Sequence, residues 1–151
     1  MLKRETDKGF TWIGNKKLSK DSLLIEALGT LDELSSFLGL AASFDNKNLK
    51  DEITNLQKKL FLLGQDLTFG KPHFSQKEVR FLEEKIERFK KGKRQANFCL
   101  PIGETAWLHV CRSIARRLER RVVSLSKKEK VRPPVLVFLN RLSLLLFWMA
   151  S

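Results

Sequence analysis

Cysteine is nearly absent from this 151-residue chain: Cys99 and Cys111 are the only two. That is too few for a disulfide scaffold and suits a reducing compartment. Histidine is as scarce. His73 and His109 stand far apart and lack metal-ligand spacing with either cysteine, so structural roles are expected for both and no metal site is predicted. Acidic residues are in deficit, 17 Asp and Glu against 29 Lys and Arg, a net charge of +12 at pH 7. That balance favours anionic partners (nucleotides, nucleic acid or a membrane surface) without choosing among them. The tryptophans Trp12, Trp107 and Trp148 are scattered, so no stacking platform for single strands is evident. No Gly-Lys-Ser/Thr follows a strand, which removes a Walker loop. No apolar run follows the polar Met1–Lys8 stretch, so no secretory signal is expected and the cytoplasm is. The longest apolar run, Val135 to Ala150, has 16 residues and is interrupted by Asn140 and Arg141. A spanning helix needs roughly 20 apolar residues, and a central Arg costs on the order of 2.5–3.5 kcal/mol. A core helix is expected there and no membrane partner.

What the chain does contain is helical periodicity. With 42% hydrophobic and 30% charged residues it reads as globular and as one domain over 1–151. A first helix over 22–43 carries Leu24, Leu28, Leu31, Leu38 and Ala42 at helical spacing. A second over 48–68 carries Ile53, Leu56, Leu60, Leu63 and Leu67. Gly70 and Pro72 break the chain, and Ser75-Gln-Lys-Glu78 is a capping box opening a third helix with Val79, Leu82, Ile86 and Phe89 inward. A basic link over 90–94 leads to Phe98-Cys-Leu-Pro-Ile-Gly103. A fourth helix runs from about Glu104 to Ser126, and Pro133-Pro134 starts the fifth. No strand pattern or repeat competes. The reading is all-α, a compact bundle of residues 21–151, preceded by a polar loop over 1–20.

Two stretches carry the chemistry. On the fourth helix Arg112, Arg116, Glu119 and Arg120 share one sector, at about 100° per residue, beside an apolar stripe of Leu108, Cys111, Ala115, Leu118, Val122 and Leu125. Guanidinium groups flanking a buried face suit a polyanion that also carries a hydrogen-bonding group, such as a nucleoside triphosphate, and equally a solvated basic face. In the first twenty residues Gly9 and Gly14 permit close backbone approach to a ligand, with lysines at hand for phosphate.

The order of motifs resembles that of the PduO-type ATP:cob(I)alamin adenosyltransferases. It runs Thr6-Asp-Lys-Gly9, Lys20-Asp21, Gly29-Thr-Leu-Asp-Glu-Leu34, Phe98-Cys-Leu-Pro101, Arg116-Arg-Leu-Glu-Arg120 and Leu139-Asn-Arg-Leu-Ser143. The resemblance implies a five-helix, ferritin-like bundle assembled as a homotrimer with active sites between subunits. The implied activity is transfer of the 5′-deoxyadenosyl group of ATP to Co(I) of a corrinoid, with Mg²⁺ as cofactor and a reductase as a partner. By the same resemblance Lys20, Arg116 and Arg120 meet the triphosphate, Glu119 and Asn140 the nucleoside, and Arg4, Thr6 and Thr11 belong to the phosphate loop. Phe98 matches the aromatic that displaces the lower axial ligand of cobalt. Asp32 matches a carboxylate that pairs with Arg112 across the subunit interface. The catalytic pair implied is Arg116 and Phe98.

The chain departs from the family's pattern at three places. Its loop reads Lys3-Arg4-Glu5-Thr6 where the family has Thr-Arg/Lys-Thr-Gly, its turn reads Pro101-Ile-Gly103, and Leu144 stands where the family has an aspartate after Leu-Ser. Those departures keep open a non-catalytic relative that binds ATP or corrinoid as carrier or regulator. A basic nucleic-acid binder is the third class, supported by charge alone; no nucleic-acid partner is the expectation. The placement of the arginines discriminates: a lined groove fits a nucleotide, a spread outer face fits nucleic acid.

Overall fold

A computed structural model describes residues 5–44, 49–70, 74–93 and 100–151; Arg4, His73, Phe98 and Cys99 lie outside them. Five helices account for most of these residues: α1 Leu23–Ser43, α2 Lys50–Phe69, α3 Gln76–Lys90, α4 Ala106–Ser126 and α5 Pro133–Ala150. The expected boundaries hold to within about two residues, the ordinary uncertainty of helix ends. α4 lies at the centre, packed against α1 on one side and α5 on the other, while α2 lines α1 and α3 lines α5. Side chains close the ring between α2 and α3: Glu52 meets Lys85 and Arg88, each at 2.8 Å, and Lys59 meets Glu78 at 3.5 Å. One continuous core runs through all five helices.

Two of the helices begin for a local reason visible in the sequence. α3 opens on the expected capping box. Ser75 Oγ accepts from the Lys77 N–H at 3.2 Å, and Glu78 Oε2 accepts from the Ser75 N–H at 2.8 Å. Burial pulls the Glu78 carboxyl upward, but these Ser75 hydrogen bonds, with Lys59 nearby, hold it below its ordinary 4.5. A carboxyl depressed in the folded state adds stability above its unfolded pKa and loses it as pH falls through the folded value. Ser75→Ala should therefore lower stability by about 1 kcal/mol, a fall in Tm of about 2–4 °C at neutral pH. Thermal melts of the two proteins should draw closer on acidification without meeting, because the bond from the Lys77 N–H to Ser75 Oγ does not titrate. α5 begins at Pro133-Pro134, where the missing N–H is harmless.

The α4 stripe is buried as read: Leu108, Cys111, Ala115, Leu118, Val122 and Leu125 are each 5% exposed or less. Burial pushes the Cys111 thiol up to about 12, so it is an inert core residue. On α1 the expected stripe needs correction. Ala27, Leu34 and Ala41 join Leu24 and Leu38 in the core, whereas Leu28, Leu31 and Ala42 are half-buried. α1 packs against two helices, and Leu28 and Leu31 lie over Gly64 of α2, so both its apolar faces are used. Leu67 and Phe89 are likewise half-buried at the core's margin. The apolar run near the C-terminus forms an 18-residue helix, long and apolar enough by composition to cross a membrane. More than half of it is buried inside the bundle, in contact with α3 and α4.

The largest departure from expectation lies before α1. A 3₁₀ turn (Glu5–Lys8) leads into strands β1 (Phe10–Ile13) and β2 (Lys16–Ser19), paired antiparallel from Phe10 with Ser19 to Ile13 with Lys16. The connection is the two-residue turn Gly14-Asn15, with Gly14 at φ +55°, the conformation that tight hairpins demand and side-chain-bearing residues resist. The hairpin tip leans on the C-terminal end of α2, where Gly14 lies 3.8 Å, measured from an ideal Cβ position, from the Phe69 ring.

Candidate active site

α4 presents its arginines in two sets. Arg117 and Arg121 turn toward α1, where they pair with Glu33 and Glu26 respectively. Arg112, Arg116 and Arg120 stay on the outer sector. Arg116 and Arg120 are exposed, and the Arg112 Nε is buried without a hydrogen-bond partner among the described residues. On the α5 side Asn140 Nδ2 donates to Glu119 Oε1 at 3.2 Å, and Arg141 Nη1 donates to Asn140 Oδ1 at 3.3 Å. Glu119 and Asn140 therefore form one polar unit across the α4–α5 seam, at the edge of the arginine sector. Leu144, one turn beyond Asn140, is 40% exposed and brings no charge to that edge.

Two clefts adjoin along α4. The larger, about 600 Å³, lies between α1, α4 and the turn before α4; Glu33, Phe37, Pro101, His109, Arg112 and Arg117 are among the residues lining it. The smaller, about 330 Å³, is lined by Leu23, Arg117, Arg120, Arg121 and Ser124. Arg117 and Arg120 belong to both, so two hollows share one cationic wall. Arg112, Arg117, Arg120 and Arg121 thus line these grooves, Arg116 stands exposed beside them, and Lys90, Lys91, Lys127 and Lys128 are exposed elsewhere. Beside the larger cleft Trp107 packs on Phe37 and stacks on Phe44, with ring centroids 6.3 and 5.8 Å apart. Leu100 and Ile102 of the turn are 68% and 75% exposed, giving that cleft an apolar approach. Gly103, at φ +81°, lets the turn reverse into α4.

The N-terminal residues form a separate group. Lys20 Nζ donates to the Thr6 carbonyl at 2.7 Å, and the Lys20 N–H to the Gly9 carbonyl at 2.9 Å. Thr11 is half-buried on β1 opposite Leu18. Lys20 leads directly into the start of α1, where the Ser22 Oγ is buried without a partner and makes no cap. Lys20 is thus engaged with the backbone of its own N-terminal segment, which was expected as a polar loop and is a hairpin.

Of the residues singled out in the sequence, the structure joins Thr6 with Lys20, and Glu119 with Asn140. Arg116 and Arg120 lie one turn apart on α4. No hydrogen bond or ion pair among the described residues links the N-terminal group to the α4–α5 group. Asp32 is exposed on α1 and forms no ion pair with Arg112 within the chain. Arg4 and Phe98 lie outside the described residues, although Pro101, three residues after Phe98, borders the larger cleft. The sequence reading missed the Glu33–Arg117 and Glu26–Arg121 pairs. Their signal was present as carboxylates two turns apart on α1 and guanidiniums one turn apart on α4.

Comparisons with known proteins bear on the family and the fold. The family model for cobalamin adenosyltransferase matches residues 1–151. A corrinoid adenosyltransferase of Bacillus subtilis (strain 168) is 40% identical over 149 residues, covering 91% of this chain and 77% of that protein. One from Citrobacter freundii is 35% identical over 159 residues, covering 97% and 90%. Among solved structures, a variant PduO-type ATP:corrinoid adenosyltransferase from Lactobacillus reuteri, complexed with cobalamin and ATP, superposes with a TM-score of 0.89 at 34% identity, covering 99% of this chain and 90% of that one.

Proposed function

The chain belongs to the cobalamin adenosyltransferase family, and on that footing we propose that it transfers the 5′-deoxyadenosyl group of ATP to the Co(I) of a corrinoid. The cobalt electron pair attacks C5′, the Co–C bond forms, and the C5′–O bond breaks. Triphosphate leaves with that bond's electrons, and cobalt becomes formally Co(III). The observation that carries this reading is the α4 outer face. Arg116 and Arg120 have no side-chain partner among the described residues and stand beside a Glu119–Asn140 unit that offers both an acceptor and a donor.

In this reading Arg116 and Arg120, with Lys20, stabilise the departing triphosphate, which needs positive charge where negative charge develops. Glu119 and Asn140 hold the nucleoside, and Arg4, Thr6 and Thr11 frame the phosphates. Phe98 and Arg112 serve the corrin side, and Arg112 finds its carboxylate in Asp32 of a second copy. Among the described residues no group of three His, Cys, Asp or Glu side chains could hold a metal ion. Mg²⁺ therefore fits as the ATP complex, held chiefly by phosphate oxygens, as is usual for this ion. Bound there, it would neutralise charge on the triphosphate.

Two observations support a site shared between copies in a homotrimer: among the described residues no hydrogen bond or ion pair joins the N-terminal group to the α4–α5 group, and the buried Arg112 Nε has no hydrogen-bond partner. Sedimentation should give a particle of three 17.5 kDa chains; a monomer that remains active would remove the shared site. Co(I) must be supplied by a one-electron reductant, so a reductase acts before this step, and the cytoplasm fits that supply. The deciding experiment is incubation with ATP, Mg²⁺ and chemically reduced cobalamin. Formation of the adenosylated product above the uncatalysed background supports the reading. Binding of both ligands without product identifies the non-catalytic alternative.

A further inference from the structure

His109 is the one histidine among the described residues, and its place on α4 is unusual. The buried stripe of that helix runs through Leu108, Cys111 and Ala115, whereas His109 lies on the outer sector, one turn before Arg112 and Ser113. It is nonetheless only 9% exposed, and it lines the larger cleft, whose other walls include Glu33 and Phe37 of α1 and Pro101 of the turn before α4. The proposed reaction as derived so far gives it no task. The charged groups around that cleft are Arg112, Arg117 and Arg120 of α4 and Glu33 of α1, whose carboxylate is already engaged by Arg117. The turn adds Pro101 to the lining and carries the exposed Glu104. Among the described residues, the charged side chains that line the cleft with this histidine are three guanidiniums and the paired Glu33 carboxylate.

We infer that His109 is a ligand-positioning residue of the larger cleft, presenting a neutral imidazole to the amide periphery of the corrinoid. This inference rests on the proposed function. It extends that function by giving the corrin side a polar contact beyond Phe98, Arg112 and Asp32. A neutral imidazole offers one N–H donor and one lone-pair acceptor. A primary amide offers the complementary pair, whereas the arginines around it can only donate. Burial, and then the Arg112 charge, hold His109 below its ordinary 6.5, so at neutral pH the acceptor is present. Protonation converts that acceptor into a donor and adds positive charge beside three guanidiniums, so affinity for a neutral amide falls as pH drops below the ordinary imidazole range.

The test is equilibrium dialysis of cob(II)alamin against the full-length protein in saturating ATP and Mg²⁺, with ATP affinity measured in parallel. At pH 8, His109→Leu should weaken cob(II)alamin binding by about 10-fold, the scale of a polar group left unpaired, and leave ATP affinity unchanged. His109→Gln, which keeps a donor and an acceptor but cannot titrate, should bind within about 3-fold of the wild type. As pH is lowered to 5 the wild type should lose affinity and the Gln variant should not. Equal binding by the Leu variant, a parallel loss of ATP affinity, a Gln variant as weak as Leu, or identical pH dependence of Gln and wild type would each overturn the inference. So would a wild type that binds no cob(II)alamin. Should His109→Leu fail to fold, the pH comparison of Gln with wild type decides. Corrinoid binding with this pattern but no adenosylation leaves the role of His109 standing and removes only the catalytic reading.

Discussion

Arg116→Ala should lower kcat for adenosyl transfer by about 10²–10³-fold, the loss typical when one preorganised charge is removed from a developing anion. Tm should move little, because Arg116 is exposed and has no side-chain partner among the described residues, and such surface changes are usually within about 0.5 kcal/mol. The size of the effect depends on what covers the residue. A guanidinium in open water gains little from a phosphate, because solvent screens the pair. Only a dry site makes it worth several kcal/mol, and a single chain leaves Arg116 on its surface. The rate loss is therefore expected only where a second copy closes over the outer face of α4, and activity should depend on protein concentration below the assembly threshold. Steady-state kinetics separate the roles: kcat and kcat/KM falling together mark an interaction made in the transition state. A raised KM for ATP with kcat intact would reduce Arg116 to a binding residue. Arg116→Lys should fall between, since it keeps the charge but loses the forked, bidentate geometry.

The sequence revealed this face because one helix carries it. Arg112, Arg116, Glu119 and Arg120 follow from helical geometry alone, and so does the stripe from Leu108 to Leu125 that buries the adjoining side. α3 was equally readable, since Ser75 and Glu78 satisfy each other's backbone donors within four residues. The hairpin was not, although Phe10-Thr-Trp-Ile13, Gly14-Asn15 and Lys16-Lys-Leu-Ser19 carry alternation and a two-residue turn. Four-residue strands present only two inward positions each, and Lys16 and Lys17 hid the second strand as a basic loop. α1 misled for another reason: apolar on two faces, it offered two stripes of similar strength, and only contact with α4 selects Ala27, Leu34 and Ala41 over Leu28, Leu31 and Ala42. The clefts were illegible because their walls join Glu33 to Arg117 and Pro101 to Arg112, pairings set by tertiary packing.

The same limit hid the strongest expected effect on stability, a partly buried pair that joins three segments distant in sequence. Arg132, just before α5, donates to the Asp66 carboxylate near the end of α2 and to the Phe74 carbonyl before α3. Asp66 also accepts the Phe74 N–H at 3.3 Å and the Arg132 Nε at 3.3 Å. The Asp66 side chain is 4% exposed and that of Arg132 28%. Phe74 itself is fully buried, edge-on to Phe138 of α5 with centroids 4.7 Å apart. Asp66→Ala would take the carboxylate from a partly exposed guanidinium and orphan the buried Phe74 N–H, so a loss of about 2–3 kcal/mol is expected. At about 2–4 °C per kcal/mol that is a fall in Tm of about 4–12 °C. Asp66→Asn, which keeps an acceptor for Phe74 but loses the charge, should lose less. Arg132→Met, which leaves the buried Asp66 carboxylate without its cation, should cost about 3–5 kcal/mol, and Asp66→Leu combined with Arg132→Met should cost less than the sum, because replacing both members removes the uncompensated charge. Additive losses by denaturant titration would show that the two residues act separately. Because this staple sets where α5 begins, two turns before Asn140, the stable Asp66→Asn variant should also raise KM for ATP while leaving the corrinoid KM in place. That split would tie the staple to the placement of Asn140 against Glu119.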